Sequence, residues 1–378
     1  MFRFLHSSDL HLGKPFGGFD DDARGRLRAA REDVFGRLAQ AARDGGAGVV
    51  LLAGDTFDQE TPTPRILRHA RNAMAQNADI TWVLMPGNHD SLAATVLWST
   101  LAQDRPDNLI LATDPSPIAL GAATVLPAPC TVRSPGRDLT ETMDQPTPEG
   151  QIRVGLGHGG ITDFAALGQA APEGPRGVIA PDRAARAGLD YLGLGDWHGQ
   201  IRIDARSWYS GTPEPDSFKH DVQGQALLVE IAAPGAAPRV APVATGALHW
   251  HASLLSLTPG EDVPALIETM LPPRDRRHGT LLRLRAEGRL SVGERRALAR
   301  ALDASSPDFL SADVDLDGLT TLHSDADIEA LDPTGGALRQ AAQSLGAQAV
   351  DPDLSRGDRE EARHALDLLH ALAAEVAP

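Results

Sequence analysis

Gly87-Asn88-His89-Asp90 follows the apolar run from Ile80 to Met85, and four similar clusters occur within the first 200 residues. Each of them places aspartate or histidine directly after an apolar run that is typical of a buried strand. Because side chains at the carboxyl ends of successive strands converge on one crevice edge, we expect the five clusters to form a single site. The other four are Asp9-Leu10-His11, Gly54-Asp55-Thr56-Phe57-Asp58, Gly157-His158-Gly159 and Gly195-Asp196-Trp197-His198.

Strand and helix signals alternate over residues 1 to about 230, which predicts an α/β layered fold. In this region helices are predicted at Arg24 to Arg43 and at Pro64 to Gln76. After about residue 250, three short strands alternate with two helices, and two further helices follow over residues 325–347 and 357–376. We therefore predict two domains: residues 1–250 carry the site, and residues 251–378 form a small C-terminal α+β cap that binds substrate or a partner.

The composition limits the location and the partners of the chain. No stretch approaches the roughly 20 apolar residues that span a bilayer, and the amino terminus lacks a signal-peptide pattern, which predicts a cytoplasmic protein with no membrane partner. The formal net charge of −16 argues against electrostatic binding of nucleic acid over the whole surface. Residues 274–300 nevertheless hold nine arginines against three acidic residues. This arginine-rich segment is either a solvated helix face with a strand edge or a patch that contacts phosphate.

The residue types in the five clusters indicate their chemistry. Aspartate, histidine and asparagine offer oxygen and imidazole ligands without a thiolate, a set that suits manganese, iron or zinc in a reactive site. The clusters contain too many ligands for one ion, so we expect two ions bridged by a carboxylate. Such a pair generates a hydroxide nucleophile near neutral pH and clamps a phosphoryl centre. No Gly-rich phosphate loop, nucleophilic serine elbow or dinucleotide fingerprint competes for the role.

The ordered series of motifs is similar to that of the calcineurin-like metallophosphoesterase superfamily. Within it, Phe4-Leu5-His6-Ser7-Ser8-Asp9-Leu10-His11-Leu12-Gly13 resembles the opening of SbcD-type DNA repair exonucleases, and Tyr209-Ser210-Gly211-Thr212-Pro213 resembles the strand after their last metal motif. The resemblance covers about residues 1–220 and implies a layered β-sandwich flanked by helices. Beyond residue 250 it suggests only a cap domain of similar size and place.

The resemblance also implies a ligand set for two divalent metal ions. Asp55 would bridge both ions. One ion would be held by Asp9, His11 and His198, and the other by Asn88 and His158. Manganese is the expected metal, with magnesium, iron and zinc as alternatives.

Other residues would act beside the metal ions. His89 would protonate the leaving oxygen or stabilise charge on the phosphoryl group, and Asp90 would orient His89 by accepting from its other ring nitrogen. Asp58 would lie just outside the ligands or near the substrate. The two lysines of the chain, Lys14 and Lys219, either contact substrate phosphate or are ordinary loop residues of an arginine-biased chain.

One residue departs from the family pattern. The last motif usually reads Gly-His-x-His with both histidines as ligands, whereas Asp196 stands here in place of the first. We expect the Asp196 carboxylate to ligate the second metal ion, which would favour harder ions such as manganese. In the alternative, Asp196 points away and the second metal ion is loosely held.

Three functions are compatible with these features. In the first, a hydroxide bridging two ions attacks a DNA phosphodiester while His89 assists the leaving group, in a repair nuclease. Its expected partners are DNA, an SbcC-like coiled-coil ATPase and a second copy of the chain in a homodimer. In the second, the same chemistry acts on small phosphodiesters, nucleotides or phosphoproteins, which the net charge and Asp196 favour. In the third, the chain is a degenerate, non-catalytic scaffolding subunit, for which Asp196 is the only support.

Overall fold

The computed structural model describes residues 1–162, 177–219, 223–332 and 335–376. Contacts separate the chain into two units, Met1–Trp250 and His251–Pro378. The roles expected for these two regions, a catalytic domain and a cap that binds substrate or a partner, stay predictions.

Two six-stranded sheets form the framework of the first unit. Its strands are β1 (Phe2–Ser7), β2 (Val49–Ala53), β3 (Thr81–Met85), β4 (Leu109–Leu111), β5 (Ile118–Leu120), β6 (Ala123–Ala128), β7 (Ile152–His158), β8 (Tyr191–Gly195), β9 (Ile201–Arg202), β10 (Ser207–Tyr209), β11 (Gln225–Ile231) and β12 (Arg239–Ala244). The order is β12-β11-β1-β2-β3-β4 in one sheet and β5-β6-β7-β8-β10-β9 in the other. Strands β1 to β4 are parallel, as are β6 to β8, so the carboxyl ends of each set lie at one edge of its sheet.

The sheets and helices of the first unit form layers. Phe4 and Val83 from the first sheet pack against Val154 and Tyr191 from the second in a buried apolar core. The other face of the first sheet packs on α2 (Val34–Asp44), α3 (Pro64–Gln76) and α4 (Thr95–Gln103). The other face of the second sheet packs on the 3-10 helix Leu139–Asp144 and on α5 (Arg183–Arg186). This arrangement confirms the predicted α/β layered sandwich flanked by helices.

A side-chain cap marks the start of α3 in the first unit. Thr63 accepts a hydrogen bond from the backbone nitrogen of Ile66, and Pro64 occupies the first turn, so α3 begins at the residue expected from the sequence. The single helix predicted from Arg24 to Arg43 is wrong, because α1 (Asp21–Glu32) and α2 are separate helices. Asp33 lies between them, as the C-cap of α1 and the N-cap of α2.

The second unit is a three-stranded sheet covered by helices. Its strands are β13 (His249–Leu257), β14 (Thr280–Ser291) and β15 (Ser311–Leu322), and its helices are α6 (Val263–Met270), α7 (Arg274–Arg277), α8 (Val292–Ser305), α9 (Asp325–Leu331), α10 (Ala337–Val350) and α11 (Arg356–Val376), with the 3-10 helix Ser306–Asp308. Strand β14 is central, and it is parallel to β15. Leu284 of the sheet packs with Ile267 of α6 and Leu298 of α8 in one buried core. The helix predicted over residues 325–347 is two helices, α9 and α10.

The arginine-rich segment is largely neutralised by acidic side chains of the same unit. Arg283 and Arg285 on β14 lie opposite Asp313 and Asp315 on β15, and both pairs are within ion-pair distance. Arg277 is buried and pairs with Glu268 and Asp308. Within the described residues, four arginines of the segment have no acidic partner, namely Arg276, Arg289, Arg296 and Arg300. The segment is therefore a set of cross-strand pairs with a few available guanidinium groups, rather than a continuous basic patch.

None of the described helices is long and apolar enough to cross a membrane.

Candidate active site

The predicted ligands lie in the loops that leave β1, β2, β3 and β8, and at the end of β7. Asp9, His11, Asp55 and Asp196 have positive φ angles of 56°, 46°, 53° and 99°. Such a backbone costs a non-glycine residue about 1–3 kcal/mol. Neighbouring loops hold it in place, because the backbone nitrogens of Asp9 and His11 donate to the carbonyl oxygens of Gly54 and Asp55, at 3.1 and 3.0 Å.

A first group of ligand atoms comes from Asp9, His11 and His198, which all lie within 4.8 Å of one another. The Nε2 atoms of His11 and His198 are only 3.1 Å apart. Two imidazole nitrogens at this distance, beside a buried carboxylate, form a set of donors that a divalent cation would satisfy.

A second group contains Asp9, Asp55 and His158, again with ligand atoms within 4.8 Å. Asn88 lies beside it, and its Oδ1 is buried without a hydrogen-bond partner in the described part of the chain. His158 Nε2 is likewise buried and lacks a hydrogen bond there. Buried polar atoms are normally satisfied, so these two atoms are available as ligands for a cation.

One oxygen of Asp55 joins the two groups. Asp55 Oδ2 lies 3.8 Å from His11 Nε2 and 3.5 Å from His158 Nε2, between one imidazole of each group. The other oxygen, Oδ1, accepts a hydrogen bond of 2.8 Å from the backbone nitrogen of His89. Burial alone would raise the pKa of Asp55, but His158, His11 and His89 lower it below its usual range. Asp55 therefore lies between one imidazole of each group, and its role as a bridging ligand stays a prediction.

The ring nitrogens on the far side of two histidines are held by acceptors. His158 Nδ1 donates to the carbonyl oxygen of Ala53 at 2.8 Å, and His198 Nδ1 is 3.1 Å from Asp216 Oδ1. His11 Nδ1 lies 3.4 Å from Asp58 Oδ1. A proton held on Nδ1 leaves the lone pair on Nε2 for a metal ion. The donor set thus fits two divalent cations in the number and identity of its ligands, and the acceptors beside His158 and His198 favour the ring tautomers that a metal ion needs.

Glycine is required where the loops cross. A Cβ atom on Gly87 would lie 2.2 Å from Asp55 Oδ1 and 2.3 Å from the backbone nitrogen of Asp55. A Cβ atom on Gly195 would lie 2.2 Å from the carbonyl oxygen of Ala53. The glycines that precede Asn88 and Asp196 therefore allow these loops to approach the Asp55 loop closely.

Residues 2–180 match the family model of the calcineurin-like phosphoesterases. The chain carries a calcineurin-like phosphoesterase domain. Such a domain indicates a metal-dependent hydrolase of phosphoric esters, in agreement with the grouped ligands. A solved structure, TT1561 of Thermus thermophilus, is similar over 65% of this chain and 99% of that chain, with 11% sequence identity and a TM-score of 0.39. No curated protein matches the sequence.

His89 is part of the wall of the phosphoesterase site. Its ring packs edge-on against His11, with centroids 4.8 Å apart, and its Nδ1 is 2.8 Å from the carbonyl oxygen of Asp58. The prediction that Asp90 orients the His89 ring is wrong. Asp90 Oδ1 accepts from the backbone nitrogen of Gly87 at 2.6 Å, and Oδ2 accepts from that of Phe57 at 3.0 Å. Asp90 therefore connects the Gly87 and Phe57 loops of the site, and the carbonyl oxygen of Asp58 holds the His89 ring.

The environment of Asp90 differs from that of the other carboxylates in the phosphoesterase site. Its side chain is fully buried, and burial together with the charge of Asp55 raises its pKa to about 7. The two backbone N–H groups oppose this rise. Asp90 is thus a structural carboxyl group that lies behind the ligands.

Asp196 lies next to two predicted ligands of the second metal ion. Its Oδ1 accepts from Asn88 Nδ2 at 2.8 Å and is 3.8 Å from His158 Nε2. Its backbone nitrogen donates to both oxygens of Asp9, at 3.2 Å. The side chain is directed to the site rather than away from it, so the alternative in which Asp196 points away does not describe this structure. Whether Asp196 itself ligates a metal ion stays a prediction.

The sequence did not reveal the role of Asp216. Its buried carboxylate contacts His198 Nδ1 and also accepts from Lys14 Nζ. Burial would raise the pKa of Asp216, but His198, Arg31 and Lys14 lower it well below its usual value. The only signal in the sequence is the segment Glu214-Pro215-Asp216, directly after the Gly211-Thr212-Pro213 turn.

Of the three residues predicted to bind substrate, Asp58 and Lys14 lie in or beside the phosphoesterase site. Asp58 contacts His11 through its side chain and His89 through its carbonyl oxygen, so it belongs to the site. Lys14 lies near the site, but Asp216 already binds its ammonium group. Lys219 is exposed, and its backbone nitrogen donates to Ser217 Oγ at 3.4 Å.

Proposed function

We propose that the protein is a two-metal phosphodiesterase that acts on DNA ends, as a nuclease of DNA repair. The position of Asp55 Oδ2 between His11 and His158 is the observation that carries the two-metal part of this proposal. A carboxylate shared by two cations is the arrangement that clamps both the attacking and the leaving oxygen of an in-line displacement.

Different residues would hold each of the two metal ions in this reaction. Asp9, His11 and His198 would hold one ion, and Asn88, His158 and Asp196 the other, with Asp55 shared. When bound, the ions supply a nucleophile at neutral pH and neutralise charge on the phosphoryl oxygens. The Asp196 carboxylate in this set favours a harder ion, and manganese is the proposed metal in the cell.

His89 is placed to act on the leaving group. Main-chain Asp58 fixes its Nδ1, so the ring presents Nε2 as the group that exchanges a proton. A positioned imidazole can donate a proton to the departing sugar oxygen, which contributes about 10²–10⁴-fold in rate. His11 packs against the His89 ring and limits its rotation.

DNA is the proposed substrate because of the motifs outside the ligand set. The segments Phe4 to Gly13 and Tyr209 to Pro213 resemble SbcD-type exonucleases, and the second unit retains guanidinium groups without acidic partners in the described chain, such as Arg276 and Arg289. By the same resemblance, the proposed partner is an SbcC-like coiled-coil ATPase. The proposed assembly is a homodimer, and the proposed location, from the composition and the amino-terminal sequence, is the cytoplasm.

Hydrolysis of small phosphodiesters is the second candidate function. The cross-strand pairs of Arg283 and Arg285 with aspartates reduce the basic surface that a polyanion would meet. Asp216 likewise neutralises Lys14 beside the site. A small diester needs only the metal ions and His89, and does not depend on an extended basic surface.

Cleavage of end-labelled DNA tests the proposal. Linear duplex and single-stranded DNA would be incubated with the protein in manganese, in magnesium and in chelator, beside a chromogenic diester. We expect manganese-dependent loss of the end label, reduced at least about 100-fold in His89→Ala. His278→Ala, which changes a histidine of the second unit, is the matched control and should cleave like the parent.

The outcomes separate the two candidates. Cleavage of the chromogenic diester without cleavage of DNA would replace the nuclease with the small-substrate enzyme. DNA cleavage that His89→Ala leaves unchanged would overturn the role of His89.

A further inference from the structure

The second unit contains a cavity of about 330 Å³ that shares no residue with the phosphoesterase site. It is formed by α8, the region following β15, and α11. Its walls include Arg295, Arg296, His323, His364, Asp367 and Leu368. The volume lies within the range of about 300–1,000 Å³ that is typical of small-molecule sites.

Two arginines of α8 supply the positive charge of this cavity. Arg295 is fixed in place, because its Nη1 donates to the carbonyl oxygen of Leu319 at 3.1 Å and to Thr321 Oγ1 at 2.9 Å. Arg296 is exposed, and among the described residues no acceptor or acidic side chain pairs with it. A fixed guanidinium next to an available one is suited to an anion with more than one oxygen.

Asp367 is the one carboxylate among the described residues that line the cavity, and it is already engaged. Asp367 Oδ1 accepts from His323 Nε2 at 2.6 Å, and its Oδ2 lies 3.8 Å from Arg295 Nη1. One acidic side chain therefore faces two arginines, and the guanidinium of Arg296 remains uncompensated within the described residues.

A pair of imidazoles forms the inner wall. The rings of His323 and His370 stack with centroids 4.4 Å apart and an interplanar angle of 30°. In the described part of the chain, His323 Nδ1 and His370 Nε2 are buried and have no hydrogen-bond partner. Burial, His323 and Arg296 lower the pKa of His370, and Asp327 and Asp367 oppose this shift. Unused polar atoms of this kind are uncommon in a purely structural cluster.

Part of the remaining lining is apolar. Val292 and Ala299 of α8 and Leu368 of α11 face the same cavity, and Leu368 is 53% exposed. An inorganic anion would leave this surface in contact with water. An anion attached to an apolar or heteroaromatic body would bury it as well.

We propose that this cavity binds a small organic anion, a phosphate monoester or a carboxylate, whose head group pairs with Arg295 and Arg296 and whose body lies on Leu368. The proposal does not rest on the nuclease function, because it involves none of the metal-site residues. It can therefore succeed or fail independently of DNA cleavage.

Titration calorimetry with the full-length, metal-loaded protein tests the proposal. The probes are thymidine 5′-monophosphate, hexanoate and inorganic phosphate, which separate a phosphate monoester, a carboxylate and a head group alone. The test variant is Arg296→Gln. The matched control is Arg300→Gln, an exposed arginine of the same helix that does not line the cavity. Both changes are on the surface and should leave the thermal unfolding midpoint unaltered.

We expect at least one organic anion to bind more tightly than inorganic phosphate. Its dissociation constant should rise about tenfold in Arg296→Gln, through loss of a charge-assisted hydrogen bond, and stay constant in Arg300→Gln. Binding that is equal in the parent and both variants belongs to the phosphoesterase site and would overturn the proposal. Absence of binding by all three probes would do the same.

Discussion

Replacing Asp216 with asparagine should weaken the binding of one metal ion and leave the affinity for the other unchanged. The Asp216 carboxylate contacts His198 Nδ1 at 3.1 Å, and its side chain is only 3% exposed, so water screens this contact little. Asparagine keeps an oxygen that can accept from His198 but removes the charge. The perturbation therefore isolates the electrostatic part of the contact between Asp216 and His198.

The magnitude follows from the type of hydrogen bond. A hydrogen bond to a charged group contributes about 1.5–3 kcal/mol, and a neutral one about 0.5–1.5 kcal/mol. The loss of about 1–1.5 kcal/mol corresponds to about a tenfold rise in the dissociation constant of the ion that His198 holds. Asp216→Ala also removes the acceptor and should approach the upper end of the 10–100-fold range found for residues that support metal ligands.

The assay is titration calorimetry of metal-free protein with Mn²⁺, which resolves the two binding steps. Glu214→Gln is the matched control. Glu214 is as buried as Asp216 and also neutralises an arginine, but it contacts Arg37 and the backbone nitrogens of Ala247 and Leu248 rather than a metal ligand. This variant should lower the unfolding midpoint without changing either metal affinity.

Two results would refute the reasoning. If Asp216→Ala binds both ions like the parent, His198 needs no support from Asp216. If Asp216→Asn and Glu214→Gln weaken metal binding equally, the effect arises from general loosening of the fold. The unfolding midpoints of the variants show whether such loosening has occurred.

Three further predictions concern the fold and the metal ions. Gly87→Ala should destabilise the protein by about 1–3 kcal/mol and weaken Mn²⁺ binding, because the new Cβ would lie 2.2 Å from Asp55 Oδ1. In the control Gly48→Ala, the new Cβ meets nothing within 4 Å, so stability and Mn²⁺ affinity should both stay unchanged. Urea titrations measure the stability of each variant, and calorimetric titrations measure its Mn²⁺ affinity. Burial lowers the pKa of His6 to about 3, so the unfolded chain takes up a proton between about pH 6.5 and 3 that the folded chain does not. As the pH falls through that window, the free energy of unfolding should decrease by about 1.4 kcal/mol per pH unit. Urea titrations at pH 7 and 5 should show this decrease in the parent and not in His6→Asn. An equal decrease in both proteins would mean that His6 also takes up a proton in the folded chain. Saturation with Mn²⁺ at about 100 times its dissociation constant should stabilise the protein by about 2.7 kcal/mol over the chelated form in thermal unfolding, and an unchanged midpoint would contradict a metal site in the native state.

The convergence of the ligands could be predicted because it depends only on the direction of the strands. Asp55 and Asn88 follow adjacent parallel strands, and such strands end at one edge whatever their exact bounds. His158 comes from the other sheet, and the pattern of an apolar run followed by Gly-His was still sufficient to place it with them.

The partners of Asp90 and Asp216 could not be predicted in the same way. Which hydrogen atom Asp90 accepts depends on loop geometry: the Gly87 and Phe57 backbone nitrogens reach its oxygens before the His89 ring does. Asp216 meets Lys14 across 202 positions of sequence, and no motif marks such a pair. These contacts are decided by tertiary structure and leave no local pattern.

The arginine-rich segment illustrates a limit of counting charges in a window. Asp313 and Asp315 lie beyond the counted residues, but the parallel register of β14 and β15 sets them opposite Arg283 and Arg285. A charge count along the chain takes no account of neighbours across a sheet. In the folded protein, part of the arginine excess is therefore neutralised by ion pairs across the sheet.

The left-handed backbone at Asp9, His11, Asp55 and Asp196 has an evolutionary consequence. Each of these positions would be more relaxed as glycine, so each side chain is kept there at a cost in stability. In a lineage that lost the activity, these codons should be among the first to drift, and glycine should be the residue that replaces them. At Asp9, His11 and Asp55 the side chains match the family pattern despite this cost, as expected of a gene whose product is still under selection for its chemistry.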